Sequence, residues 1–252
     1  MSEKNKQEDV QHTPNCGRFY GVGIGPGDPE LLTRRAENVL QQVDVIFYVA
    51  GPRTRESISG GVLDSLPACA AEKVELVFSM SRDISERQKA WYEHGETVAA
   101  RLEQGCDCAF VTLGDPLIYS TYGYLLKTLR ERLPDLQPET VPGITSFQLA
   151  AARQNMSLVE DKEVLTVVPM AEDAVAEQDL PLEASDTLVM LKTYKSREKV
   201  LELLEQYNMT EGVYAARVGL EGELMTTDLH EVPDHPEDYL SMLIVKRTGE
   251  HG

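Results

Sequence analysis

The sequence predicts an α/β protein of two α/β domains in series, the N-terminal one on a mostly parallel sheet and the C-terminal one on a mixed sheet. Three observations carry this reading. Up to about residue 143, apolar runs of strand length alternate with segments of helical period, the pattern of strands joined by crossover helices. Beyond that point strand candidates follow one another more directly, as mixed sheets allow. Glycine-containing turns come immediately after three of the early strands, where open sheets bind ligands. The expected division is an extension at 1–17 without fixed structure, a first domain at 18–143 and a second at 144–252.

Residues 18–24 read as the first strand, followed by the glycine-rich turn 21–33. This turn is not the dinucleotide fingerprint. Six places from Gly21 lies Pro26 and from Gly23 lies Asp28, so the third glycine of G-x-G-x-x-G is missing in both frames. Asp28 is expected as a helix N-cap with Pro29 at the first helical position. The helix then carries Leu32, Ala36, Val39, Leu40 and Val43 on one face. The continuous apolar run 45–49 suits a strand buried on both faces. Strands follow at 74–78, 109–113 and 139–141, with helices at 86–104 and 122–133.

In the second half a short alanine-rich helix occupies 146–153, and a clear helix lies at 197–207. Strands are expected at 164–168, 187–191, 213–218 and 240–246, with a further one at 222–227 hairpinned through Glu221 and Gly222. The acidic stretch 171–185 has little periodicity and reads as a surface excursion.

Composition narrows the function. Of 252 residues, 24 are basic and 42 acidic, a formal net charge of −18. A nucleic-acid footprint needs clustered Lys and Arg, and there is none. No apolar run approaches the roughly 18 residues of a membrane span. The first 15 residues lack the apolar core of a secretory signal, and the cysteine usage makes a reducing cytoplasm the expected compartment. Cys16, Cys69, Cys106 and Cys108 have no framework spacing, and Cys106 and Cys108 read as small apolar strand residues rather than a metal site. His12, His94, His230, His235 and His251 are scattered and read as surface residues.

The three turns after strands are Gly25-Pro-Gly-Asp28, Leu113-Gly-Asp-Pro116 and Val141-Pro-Gly-Ile-Thr-Ser146. In a parallel sheet they converge on one edge, which favours a small-molecule site. Their chemistry is polar and mostly uncharged: backbone groups at the glycines and hydroxyls at Ser120, Thr121, Thr145 and Ser146. There is no P-loop lysine, no H-E-x-x-H pair and no G-x-S-x-G elbow. Such a site binds and orients, which suits a cofactor that brings its own reactive group.

The ordered set Gly23-x-Gly-Pro-Gly-Asp-Pro-x-Leu-Leu-Thr33, Gly114-Asp-Pro-Leu-Ile-Tyr-Ser120 and Val141-Pro-Gly-Ile-Thr-Ser146 resembles the tetrapyrrole methylase family, the class III S-adenosylmethionine-dependent methyltransferases. The resemblance covers nearly all of the chain beyond residue 17. Within the family, Thr112-Leu-Gly-Asp-Pro-Leu-Ile-Tyr-Ser-Thr121, Pro142-Gly-Ile-Thr-Ser-Phe-Gln-Leu-Ala-Ala-Ala-Arg153, Val189-Met-Leu-Lys192 and Leu243-Ile-Val-Lys246 resemble the branch that methylates C-20 of precorrin-2 or cobalt-factor II in cobalamin biosynthesis. The resemblance implies a homodimer, S-adenosyl-L-methionine as methyl donor, and an active site in the cleft between the two domains. Alternatives are another corrin-pathway methyltransferase of the same fold and a non-catalytic module that binds donor or tetrapyrrole.

Carried over position by position, the resemblance implies donor contacts at Pro26, Gly114, Asp115, Ile118, Thr145, Ser146, Lys192 and Gly219. Related uroporphyrinogen III methyltransferases carry an aspartate, proposed as base, where this chain has Val49, so no general base is assigned. The implied acceptor is rich in carboxylates. Arg153, Lys192 and Arg53 are candidates to bind them, with Arg55, Arg82, Lys195 and Arg197 as further local basic groups. Whether the acceptor is metal-free or holds cobalt is left open.

Overall fold

The computed structural model describes residues 16–50, 58–65, 69–77, 83–170, 180–193, 197–229 and 240–248. Packing divides the chain into two compact units. The first holds the chain up to Ile24 together with Leu32–Gly143, and the second holds Gly25–Leu31 together with Ile144 onward.

In the first unit the order is β1 (Phe19–Gly23), α1 (Arg34–Leu40), β2 (Val45–Ala50), α2 (Ile58–Asp64), β3 (Glu72–Val77), α3 (Ile84–Glu103), β4 (Cys108–Thr112), α4 (Tyr122–Arg132) and β5 (Glu139–Val141). The five strands form one sheet in the order β3-β2-β4-β1-β5. Every pairing is parallel, with Phe47 opposite Phe110 and Gly21 opposite Phe110 on its other side. Alternate strand residues serve opposite faces. Phe19, Phe47, Cys108 and Phe110 pack against Val98 and Leu102 of α3 and Tyr122, Leu125 and Leu129 of α4. Val22, Ile46, Ala109 and Val111 pack against Val39 and Leu40 of α1 and Val62 and Leu63 of α2. Both faces are therefore covered, which is why β2 and β4 read as continuous apolar runs. Tyr122 is fully buried and stacks on Phe19 and Phe110. It fits because residue 21 is glycine: a Cβ there would sit 2.2 Å from the tyrosine ring.

In the second unit the order is α5 (Ser146–Arg153), β6 (Leu165–Pro169), β7 (Thr187–Leu191), α6 (Arg197–Gln206), β8 (Glu211–Ala216), β9 (Leu224–Thr226) and β10 (Ser241–Lys246). The sheet order is β6-β7-β10-β8-β9. Only β6 and β7 pair in parallel; β10 runs antiparallel to β7 and β8, and β9 antiparallel to β8. Phe147, Leu149 and Ala150 of α5 cover one face, over Val189, Ala215 and Ile244. Val200 and Leu204 of α6 cover the other, over Met190, Tyr214 and Leu243.

Four local expectations need correction. Asp28 caps only a three-residue 3-10 turn, Pro29–Leu31, through its Oδ1 and the Glu30 amide at 2.9 Å. The α-helix starts afresh at Arg34, capped by Thr33, whose Oγ1 accepts from the Ala36 amide at 3.1 Å. The restart has a cause: Leu31 packs with the Val189 core, whereas Leu32 packs with the Val39 core. Helix α2 was not expected, because two of its seven residues are glycines and glycine is a poor helix former. The end of the expected surface excursion is core, with Leu180 and Leu182 buried beside Met190. His94 is half-buried, with Nε2 3.0 Å from the Val77 carbonyl oxygen, so it is not a solvated surface residue. The other four histidines lie outside the described residues. Among the described residues no helix is long and apolar enough to cross a membrane.

Candidate functional site

Strands β1, β4 and β5 are parallel, so their C-terminal ends lie at one edge of the first sheet, and there three glycines interlock. A Cβ on Gly23 would lie 2.5 Å from the Gly114 carbonyl oxygen and 2.7 Å from the Gly143 nitrogen. A Cβ on Gly143 would lie 2.2 Å from the same carbonyl oxygen. Only bare backbone allows this approach. Asp115 fixes it: Oδ2 accepts from the Gly143 amide at 3.0 Å, and Oδ1 accepts from the Leu117 amide at 2.8 Å. The same side chain thus forms its own turn and holds the junction. Charge-assisted bonds to backbone amides are the strong kind, so the loop after β4 is held to the loop after β5.

The rest of that loop stands out from the unit. Leu117, Ile118 and Tyr119 are exposed, and Tyr119 sits at φ 48°, a left-handed conformation that a tyrosine adopts only under constraint. At the end of β4, the Thr112 hydroxyl is buried with no hydrogen-bond partner.

The second unit has a comparable edge. Lys192 follows β7, Arg217 follows β8, and both meet the start of β10: the Lys192 amide donates to Ser241 O at 2.7 Å, and the Arg217 amide donates to Leu240 O at 2.9 Å. Lys192 (φ 65°) and Arg217 (φ 52°) are both left-handed without being glycine, as is common where strain serves a site. The hydroxyls of Thr193 and Ser241 at this edge are buried without a partner, so each lacks a bond a ligand or water can supply.

Gly219 (φ 79°) follows on the same edge. Its amide donates to Glu223 Oε2 at 2.8 Å, and the other Glu223 oxygen lies 3.6 Å from Arg153 Nε. A Cβ on Gly219 would lie 3.5 Å from Pro26 and 3.4 Å from the Asp28 nitrogen, and one on Gly27 would lie 2.2 Å from Leu220. The segment Gly25–Leu31 therefore docks against the turn at 219–220 within the second unit.

The structure thus gathers the expected residues into two groups. Gly114, Asp115 and Ile118 belong to the first unit, and Pro26, Thr145, Ser146, Arg153, Lys192 and Gly219 to the second. Asp115 and Gly219 are engaged in their own scaffold as described above, and two more are as well. Thr145 is the N-cap of α5 in a reciprocal capping box, its Oγ1 accepting from the Gln148 amide at 3.3 Å while Gln148 Oε1 accepts from the Thr145 amide at 2.9 Å. Arg153 is half-exposed and paired with Glu223, which is a structural use of its charge. Arg53, Arg55, Arg82 and Lys195 lie outside the described residues, as does the Arg197 side chain. The sequence reading missed Thr112, Thr193, Ser241 and Arg217. Strand-end hydroxyls were a weak signal for three of them, and nothing in the sequence marks the backbone of Arg217.

All four cysteines are free thiols; Cys108 is buried, and burial pushes its thiol up to about 12, so it stays protonated. Among the described residues no three His, Cys, Asp or Glu side chains converge as metal ligands would.

The family model of the Tetrapyrrole (Corrin/Porphyrin) Methylases matches residues 18–233. The chain belongs to the tetrapyrrole methylases. Among curated relatives, the cobalt-precorrin-2 C(20)-methyltransferase of Salmonella typhimurium is 33% identical over 241 residues, covering 93% of this chain and 98% of that one. The precorrin-2 C(20)-methyltransferase of a Sinorhizobium species is 31% identical over 240 residues, covering 91% and 95%. Among solved structures, a cobalt precorrin-4 methyltransferase of cobalamin biosynthesis superposes with a TM-score of 0.66 at 22% identity, covering 91% of this chain and 94% of that one. A uroporphyrin-III-C-methyltransferase from Thermus thermophilus gives 0.64 at 25% identity, covering 92% of each. Another structure of the Thermus thermophilus enzyme, complexed with S-adenyl homocysteine, gives 0.61 at 22% identity and covers 91% and 97%. Tetrapyrrole methylases depend on S-adenosylmethionine. The second unit's edge suits such a donor, offering the hydroxyls of Thr193 and Ser241, buried and without a hydrogen-bond partner.

Proposed function

We propose that this protein transfers a methyl group from S-adenosyl-L-methionine to C-20 of precorrin-2 or of its cobalt-bearing counterpart, cobalt-factor II, in cobalamin biosynthesis. The observation that carries this reading is the glycine junction held by Asp115 at the C-terminal edge of the parallel sheet. It supports the reading together with the names of the relatives, which match over more than nine-tenths of the chain. The residues proposed to hold the donor are Pro26, Gly114, Asp115, Ile118, Thr145, Ser146, Lys192 and Gly219, joined by Thr193 and Ser241. The part of Thr145 would be indirect, through the helix start it caps, since its hydroxyl and its amide are both engaged in the cap.

The donor supplies an electrophilic methyl on a sulfonium. The chain's part is to bind, align and exclude water. Asp115 holds two loops in one arrangement, and the strained Lys192 and Arg217 fix the backbone of the second edge. At the end of β2 stands Val49, an apolar residue packed against the Phe47 core, so that position offers no proton acceptor. An electron-rich acceptor carbon needs alignment more than deprotonation, and holding two reactants in line is worth about 7–11 kcal/mol of a barrier. A homodimer in the cytoplasm, implied by the resemblance, completes the proposal; sedimentation of the purified protein tests the dimer.

The decisive experiment incubates the protein with methyl-labelled donor and either precorrin-2 or cobalt-factor II, reduced and free of oxygen. Label at C-20, located by NMR, is the expected result, and the ratio of the two rates assigns the acceptor. Label at another macrocycle position would favour a different corrin-pathway methyltransferase. Donor binding with no transfer to either acceptor would favour a binding module.

A further inference from the structure

Helix α3 is longer than the sheet it packs on. Among the residues whose burial is described, the buried ones, Gly95, Val98, Ala99 and Leu102, all fall in its C-terminal half. His94 Nε2 bonds the carbonyl of Val77, the last residue of β3, and so marks where the strand ends. From Trp91, which still packs on the edge of the core beneath α3, to its start at Ile84, the helix overhangs β3 by roughly 10 Å, at 1.5 Å per residue. That overhang lies on the ligand-binding side of a parallel sheet, the side of its strand C-termini.

Arg87 and Trp91 share one face of the overhang, four residues apart. The Trp91 ring lies flat on Tyr124 of α4, with centroids 3.8 Å apart and planes 7° from parallel, and Tyr124 is half exposed. Arg87 Nε is buried and has no hydrogen-bond partner. Its guanidinium makes no ion pair among the described residues. Asp83, one turn back, feels its charge only through space, because that carboxylate is engaged by the Ser85 amide at 2.8 Å and the Ser85 hydroxyl at 2.7 Å. A buried guanidinium nitrogen without an acceptor is costly unless something completes it. Two other arginines of the helix pair are engaged, Arg101 with Glu72 and Arg132 with Glu96 and Glu103, while Arg130 is exposed to solvent.

We infer that Arg87, with the Trp91–Tyr124 stack beside it, is a subsite for a carboxylate side chain of the acceptor. This rests on the proposed function, which supplies an acceptor that is flat and rich in carboxylates. Guanidinium binds carboxylate through a planar pair of N–H donors, and stacked rings give an apolar wall for the macrocycle edge. The subsite also offers a protein of net charge −18 a way to meet a polyanion: a guanidinium at a built position rather than a positive surface.

Trp91 is the single tryptophan of the chain, so its fluorescence gives a binding readout that needs no turnover. The probe is an octacarboxylate porphyrin titrated against wild type, Arg87→Gln, Arg87→Lys and the charge-matched control Arg130→Gln, on the exposed side of α4. Removing one charge-assisted contact weakens Kd by roughly 10- to 100-fold. That loss is expected for Arg87→Gln, with partial recovery for Arg87→Lys and no change for Arg130→Gln. In turnover, Arg87→Gln should raise the acceptor KM by the same factor, while kcat and the affinity for S-adenosylhomocysteine stay within about 2-fold. Equal weakening by Arg87→Gln and Arg130→Gln, or an unchanged Kd for Arg87→Gln, overturns the subsite. A wild type that methylates neither acceptor refutes the proposed function instead, and the porphyrin titration still decides whether Arg87 binds carboxylate.

Discussion

Replacing Gly143 with alanine puts a methyl carbon 2.2 Å from the Gly114 carbonyl oxygen and 2.9 Å from the backbone of Gly23. Both obstacles are main chain, so no side-chain rotation relieves the clash; β1 or the loop after β4 must move, and the Asp115 bond to the Gly143 amide moves with them. Overpacking costs typically about 1–3 kcal/mol, and the upper end applies where backbone cannot yield. A loss of about 3 kcal/mol lowers the melting temperature by roughly 6–12 °C in a chain of this size. Gly123→Ala is the matched control: it lies in α4 with nothing within 4 Å of the added carbon. There alanine should be neutral or stabilising by about 0.5–1 kcal/mol, because it restricts the unfolded chain. Circular dichroism melts of the two variants read the contrast, and calorimetric titration with S-adenosylhomocysteine reads the junction. Expected are a lower melting point with weakened binding for Gly143→Ala and neither for Gly123→Ala. If both variants melt within about 2 °C of wild type, the backbone junction is not the constraint described.

Four further outcomes are expected. Thr145→Ala removes the cap of α5 and should cost about 1 kcal/mol in urea unfolding, whereas Thr145→Ser keeps it; equal losses would refute the cap. Asp115→Ala frees the Gly143 and Leu117 amides, for about 1–3 kcal/mol and a measurable loss of donor affinity by the same calorimetry; a stability loss with unchanged affinity would separate the loop from the site. Cys108, its thiol pushed up to about 12 mainly by burial, should resist iodoacetamide at pH 8 in the folded protein, as followed by mass spectrometry. Because that thiol ionises near 9 when unfolded, its contribution to stability is complete below pH 9 and lost as pH rises toward 12; Cys108→Ala should flatten this part of the melting-point profile. Glu163 is held below the usual carboxylate range first by the Glu160 amide and then by Lys246, so its contribution is present above about pH 4.5 and lost on acidification; Glu163→Gln should flatten the acid limb of the same profile.

Much of the fold was legible because burial on two faces writes itself into sequence. The apolar runs at β2 and β4 and the helical period of α1 follow from that constraint; the structure returns both strands within a residue or two, while the helix is confined to Arg34–Leu40. Helix α2 was invisible for the opposite reason. Gly60 and Gly61 argue against a helix, and the contacts of Val62 and Leu63 with the Val39 core outweigh them. Asp28-Pro29 looked like the start of a long helix, and locally it is a start, but the chain changes cores between Leu31 and Leu32. Of the site, the glycines and Asp115 were readable as spaced motifs. The buried hydroxyls of Thr193 and Ser241 were not, because a serine or threonine at a strand end is ordinary until its missing partner is seen.

By itself the sequence determined the family, the order of α and β elements and the positions where backbone must come close to backbone. Those depend on composition and spacing along the chain: apolar periodicity, and glycine where no Cβ fits. Tertiary structure decided which partner each polar group takes. Only folding sets Asp115 against Gly143, engages the Thr145 hydroxyl in a helix cap, ties Arg153 to Glu223 and leaves Arg87 Nε without an acceptor. Hydrogen bonds and charges act over a few ångströms in space, across separations of 28 to 70 residues in the chain in the first and third of these cases, and no local pattern encodes them.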